Sequence, residues 1–386
     1  MRIIRKWGIH YIEASADVEA DPLYCGPDYI RNWVLEVGSA ARKYGVTISS
    51  IFSGHSTYQT LGLGHSEKLV QSRFQEDWLK PLINAAADLG AQFGFFLHAI
   101  PQWVLHDPPS YMRAYDRLID HLSYITVYGR DQRLDAISIE AMYTPNQPPW
   151  TIEGTFEMLR RVFRVYNAPL YTTLDTGHAS AQARYQEPKV RHIAAALRAL
   201  EDGDGIGKFW FGSKAAYDLI EEAEGRNDHI TQLVSELRLK IRREVKKLPW
   251  MFASAEDGDI YEWFEALGGL SPIIHLQQTD GKTSSHLPFT SNNNITGIIE
   301  PMKLLRSLSA SYKKGYPSDL PRVRDKVFLT LEIIPGIAQR PRQVLEMMRS
   351  SVEYWRRFVP EDGIPLDDLL KREVLEEPSD TSRLVP

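Results

Sequence analysis

Short apolar runs of β type alternate with longer amphipathic stretches along most of this 386-residue chain, and that alternation restricts the fold more than any other feature. Eight runs qualify as strands: Ile3 to Tyr11, Val46 to Phe52, Gln92 to His98, Leu134 to Glu140, Pro169 to Asp175, Ile206 to Phe211, Ser271 to His275 and Lys326 to Glu332. Between them lie segments such as HSEKLVQSRFQEDWLKPLINAAADLGA and TIEGTFEMLRRVFRVYN, with apolar residues at helical spacing and a turn signal before the next run. Repeated strand–helix units predict a parallel α/β architecture, and eight of them close into a (β/α)8 barrel.

The interval from Glu201 to Leu270 is too long for one plain βα unit. It carries DGDGIG and a long charged helix, so it is expected to be an insertion over residues 201–265. If its Phe209–Phe211 run is not a barrel strand, the segment up to Ala41 would need to supply two. No linker rich in Pro, Gly or Ser divides the chain, which predicts one barrel domain over residues 1–372. The polar tail 373–386, EVLEEPSDTSRLVP, is expected to fray.

Composition narrows the function classes. Hydrophobic residues make up 43% and charged residues 25% of the chain, as in ordinary globular proteins. No stretch approaches the roughly 18–20 apolar residues of a membrane helix, and the N-terminus lacks a leader-type apolar run, so a cytoplasmic protein is expected. A single cysteine, Cys25, allows neither an internal disulfide nor a thiolate zinc site. The net charge of −5 with mixed signs argues against a nucleic-acid partner. The basic cluster Arg238 to Lys247 has Leu and Ile interleaved at helical spacing and reads as a solvated helix face.

Chemistry-bearing side chains fall at the ends of the strand runs. His55 follows SIFSG, His98 ends FGFFLH, Glu140 ends DAISIE, Asp175 ends YTTLD, His275 ends SPIIH and Glu332 ends VFLTLE. In a parallel barrel all these ends open on one face. Taken singly, His55 and His98 also suit hydrogen-bonded structural positions. Carboxylates after apolar runs are costly to bury unless a cation or donor meets them, and three converging would repel one another. A divalent cation answers that requirement; salt bridges to nearby arginines are the other solution. Three carboxylates and one imidazole suit Mn2+, Mg2+ or Co2+, with Zn2+ also allowed. Four protein ligands leave two positions on a six-coordinate ion, suited to adjacent hydroxyl and carbonyl oxygens of a ketose. The loop DGKTSSHLPFTSNNNITG after His275 suits a lid or an ordinary surface loop equally, and Trp103 and His106 after His98 could line the mouth.

Together the segments SIE, LDTGH, HLQQTDG and LTLEIIP resemble the xylose isomerase-like TIM-barrel superfamily, particularly its ketose 3-epimerase branch. The resemblance implies one metal, most characteristically Mn2+, held by Glu140, Asp175, His275 and Glu332, with Asp175 opening a D-x-x-H motif that ends at His178. It implies that Glu140 and Glu332 are the acid/base pair for proton transfer through a metal-bound enediolate, and that His178 contacts a substrate oxygen. The substrate would be a small ketose or ketose phosphate, with His98, His55, Trp103 and Lys282 as further contacts, and the barrels of this superfamily often form dimers or tetramers. The chain departs from the epimerase pattern at Gln278 and Gly281, where the family tends to have Glu and Arg; Asp280, Lys282 and His286 lie in the same loop. Alternatives are an apurinic-site endonuclease with three zinc ions, a lyase, dehydratase or decarboxylase acting on acid sugars or cyclitols, and a barrel that only binds.

Overall fold

The computed structural model describes residues 1–225 and 230–376. Seven strands form one parallel sheet in sequential order: β1 (Tyr11–Ser15), β2 (Thr47–Ser53), β3 (Gln92–Phe95), β4 (Ile137–Glu140), β5 (Leu170–Asp175), β6 (Ile273–Leu276) and β7 (Phe328–Leu331). Each parallel step needs a crossover, and helices Pro22–Tyr44, Lys80–Leu89, Pro108–Asp131, Ile152–Tyr166, Ile260–Leu267 and Pro301–Lys314 supply it. Their ends follow local chemistry. Asp21 accepts from the Leu23 amide ahead of Pro22, Thr151 accepts from the Gly154 amide, and Gly45, at φ 64°, closes the Pro22–Tyr44 helix.

The sheet curls into a nearly closed TIM barrel. Its edge strands β1 and β7 are not hydrogen-bonded to each other, but the rings of Tyr11 and Phe328 approach across that seam with centroids 5.2 Å apart. Strands β3 to β6 are buried along their whole length, which is why they show in the sequence as unbroken apolar runs rather than alternating ones. Ile51, Phe93, Phe95, Ile139 and Ile274 share one core with Leu82, Leu122, Leu159, Leu267 and Leu304 from the helices outside.

Two expected strands are absent. Ile3 to Tyr11 begins instead as the helix Arg2–Lys6, since Ile3, Ile4 and Trp7 are spaced for a helical turn; Gly8, at φ 76°, then redirects the chain into β1. Ile206 to Phe211 is not a strand either. Gly203 and Gly205 before it and Gly212 after it all take left-handed φ values, and its apolar ends fill a different core. Ile206 and Phe211 are buried among Ile193, Leu197, Ile220, Leu237 and Ile241, on the helices Val190–Glu201, Lys214–Glu221 and Ile230–Lys247. The segment up to Ala41 contributes only β1, so the described sheet has seven strands rather than eight.

This helical excursion leaves the barrel between β5 and β6. A parallel bridge between Gln186 and Ala253 pinches its neck. Trp250 docks it: the indole Nε1 donates to the Leu105 carbonyl at 2.9 Å, and the ring stacks on Tyr111 at 4.2 Å. The basic cluster lies on its last helix, with Leu237, Ile241 and Val245 turned inward. Of the tail, residues 373–376 continue the helix Leu366–Glu376, and 377–386 lie outside the described residues. Among the described residues no helix is long and apolar enough to cross a membrane.

A separate core predicts separable unfolding. Phe211→Ala should cost about 3–5 kcal/mol of local stability, read by hydrogen exchange as lost protection confined to residues 190–247. Equal loss across the barrel strands would show that the two cores unfold as one.

Candidate metal centre

The C-terminal ends of β4 to β7 deliver Glu140, Asp175, His275 and Glu332 to one place. Asp175 and His275 are neighbours in the β5–β6 register, and the Glu332 amide caps β6 by donating to the Leu276 carbonyl at 3.0 Å. One ligand atom from each of the four side chains lies within 4.8 Å of the others. His275 stands in the middle: its Nδ1 is 3.1 Å from Glu140 Oε1 and 3.4 Å from Glu332 Oε2.

Asp175 is held from behind, and its neighbours are arranged around it. Asp175 Oδ1 accepts from the Gly177 amide at 2.7 Å and from Gln277 Nε2 at 2.6 Å, while Oδ2 is buried with no partner. Gly177 is needed for this arrangement, because a Cβ there would overlap the Gln277 amide. His178 is buried and donates from Nδ1 to the Ala141 carbonyl at 2.8 Å, with Nε2 3.8 Å from Asp175 Oδ1. Glu332 Oε2, buried and without a hydrogen-bond donor, is approached by His286 Nδ1 at 3.3 Å.

The electrostatics call for a cation. Complete burial disfavours a charged His275, yet Glu13 and Glu332 beside it outweigh burial and hold its pKa well above the usual histidine value. Burial likewise works against a charged His286, but Glu332, Asp175 and Glu140 push its pKa up to about 9. Both imidazoles are thus drawn toward protonation by crowded carboxylates. An ion with bonds of roughly 2.1 Å places opposite donors about 4.2 Å apart, so the observed spread of the four atoms within 4.8 Å suits a divalent metal with small side-chain shifts. The partnerless Asp175 Oδ2 and Glu332 Oε2 are the oxygens such an ion would take.

The other candidate residues stand outside this cluster. His98 lies three residues beyond β3, half-buried, and burial lowers its pKa. It connects to the centre through an aromatic wall: His98 to Tyr58 at 5.3 Å, and Tyr143 to His178 at 4.9 Å, with Tyr143 reinforcing the rise that burial imposes on the Tyr58 phenol. His55 is exposed and its amide donates to Asp17 Oδ2 at 3.1 Å. Trp103 is 65% exposed, His106 lies beside Gln102, and the Lys282 side chain is 83% exposed, 3.3 Å from Asp280. None of them touches the four carboxylate and imidazole ligands in this structure.

The long loop after β6 is folded back on itself, Gln278 and Leu287 exchanging backbone hydrogen bonds of 2.8 and 3.1 Å. It carries His286 inward at φ 45°, with the His286 amide bonded to Gln277 Oε1. Gln277 and Glu13 escaped sequence reasoning. Glu13 had a recoverable signal, because a strand placed over Tyr11–Ser15 puts it near a strand end.

Comparisons with known proteins agree with this architecture. A putative xylose isomerase from Rhodospirillum rubrum superposes with a TM-score of 0.63 at 17% identity, covering 92% of this chain and 91% of that one. A D-psicose 3-epimerase from Clostridium cellulolyticum, solved with D-tagatose, gives a TM-score of 0.52 at 11% identity over 93% and 92% of the two chains. In sequence, a D-erythrulose 1-phosphate 3-epimerase from Brucella abortus is 30% identical over 112 residues, a stretch spanning 23% of this chain and 33% of that protein. The family model described as xylose isomerase-like TIM barrel matches residues 1–213. With more than half of its length matched and a parallel barrel of the expected architecture, the chain belongs to the xylose isomerase-like TIM barrel family.

Proposed function

We propose that the protein is a divalent-metal-dependent isomerase or epimerase of a small ketose or ketose phosphate. The observation that carries this reading is the convergence of Glu140, Asp175, His275 and Glu332, with unpartnered oxygens on Asp175 and Glu332. The short match to a protein named D-erythrulose 1-phosphate 3-epimerase supports the same class of substrate.

A bound Mn2+, or Mg2+, Co2+ or Zn2+ in its place, would polarise the substrate carbonyl and acidify the adjacent C–H. The side chains divide the remaining work. Glu140 from β4 and Glu332 beyond β7 reach His275 Nδ1 from different strands, and we assign them to removing and returning the proton on the two faces of the substrate. His178, oriented by the Ala141 carbonyl, offers Nε2 to a substrate oxygen. Tyr58, Tyr143 and His98 present ring surfaces that we assign to the carbon chain, and we assign His55, Trp103 and Lys282, all exposed, to contacts with a distal hydroxyl or phosphate. Among the described residues a single group of side chains is close enough to hold an ion, which favours this reading over a three-zinc nuclease.

Two expectations follow. The Mn2+-loaded protein, incubated with ketoses and ketose phosphates in D2O, should place deuterium next to the carbonyl; Glu140→Gln or Glu332→Gln should each reduce that exchange by about 10²–10⁴-fold. His178→Asn should act mainly on KM. Full activity in either glutamine variant would refute the assigned roles, and loss of water or carbon dioxide from the substrate would point to a lyase. Metal analysis should find one ion per chain, and chelation should remove the thermal stabilisation that saturating metal confers, about 2.7 kcal/mol at a hundredfold excess over Kd. Three zinc ions per chain would favour the nuclease.

A further inference from the structure

We infer that Glu13, on the first strand, is a positioning residue that sets the tautomer and orientation of His275 for metal binding; this rests on the metal-centre reading above. Glu13 Oε1 lies 3.0 Å from His275 Nε2, on the side of the ring opposite the ligand cluster. Its other oxygen accepts from Ser50 Oγ at 2.7 Å. The Glu13 side chain is 12% exposed and that of His275 is fully buried, so a carboxylate has been brought to this place at a desolvation cost.

The backbone is built to bring it there. Along β1 and β2, Tyr11 pairs with Thr47 and Ile12 with Ile48, but Glu13 pairs with Ser50, leaving Ser49 as an extra residue. That bulge advances β2 by one position and sets Ser50 opposite Glu13; the Ser49 hydroxyl occupies the Ile12 carbonyl at 3.1 Å. The imidazole is confined on another side by the edge of Phe52, with ring centroids 4.5 Å apart. Phe52 in turn lies over Gly94, where a Cβ would overlap its ring.

A histidine binds a metal only through a nitrogen without a proton, and a neutral ring has two ways to place its single hydrogen. A carboxylate at Nε2 favours the form protonated there, which leaves the Nδ1 lone pair directed toward Glu140 and Glu332. Oε1 sits off the N–H axis, so Nε2 has no in-line acceptor, and a small tilt of the ring completes the bond.

The test measures Mn2+ and Co2+ dissociation constants on the full chain by chelator competition, with the visible spectrum of bound Co2+ as a second readout. Glu13→Gln should weaken both metals by about 10–100-fold and alter the Co2+ spectrum, while Glu13→Asp recovers part of the loss. Wild-type affinity in Glu13→Gln, or a lowered metal-free melting temperature with unchanged affinity, would overturn the assignment. Should Glu13→Gln fail to fold, Ser50→Ala, which releases one side of the carboxylate, is expected to weaken binding severalfold, and unchanged affinity there also overturns it. Failure of the wild-type chain to bind either ion would instead remove the metal centre itself, and the role of Glu13 with it.

Discussion

Like-charge repulsion among three carboxylates governs the open end of this barrel. Glu140, Asp175 and Glu332 are brought within 4.8 Å of one another and of His275, where the nearby positive partners are imidazoles rather than arginines or lysines. Such crowding persists only because the strands beneath are fixed by a packed core and because a cation can be taken up between the oxygens. The raised pKa values of His275 and His286 record the same pressure.

Asp175 keeps one oxygen tied to the protein and one turned to the centre. Gln277 joins the back of Asp175 to the His286 amide, so the loop after β6 and the end of β5 are braced by a single side chain. Ala141 does the same for His178, and Phe52 with Glu13 for His275. The early strands, which supply no member of the cluster, place Glu13 and Phe52 against the imidazole on β6. The helical excursion between β5 and β6 keeps its own core and docks through Trp250 against the segment after β3, enlarging that rim without altering the register of the strands.

Much of this was legible before folding was considered. Glu140, Asp175 and His275 stand at the ends of strands buried along their whole length, and full burial on both faces writes such strands as continuous apolar runs; Glu332 follows the half-buried β7, which still reads as an apolar run. His55 followed a strand run and Trp103 and Lys282 were read from loops, and all three stand on exposed loops or short helices, whose placement no periodicity encodes. The run Ile206 to Phe211 misled for a related reason: an apolar cluster shows that a segment is buried, not which core buries it. Placing the first strand at Ile3 rather than Tyr11 hid Glu13, since a helical turn and a strand are hard to separate over so few residues.

The chain by itself determined the parallel barrel and which four side chains meet at its open end, because strand period, helix amphipathicity and the residues closing each strand are local properties. Only the tertiary structure decided the seven-stranded count among the described residues, the inward turn of His286, the Gln277 brace and the Glu13 contact behind His275. Those features depend on a β-bulge, a left-handed backbone position and loop pairings between residues as far apart as 13 and 275, and such long-range geometry leaves no pattern in neighbouring residues.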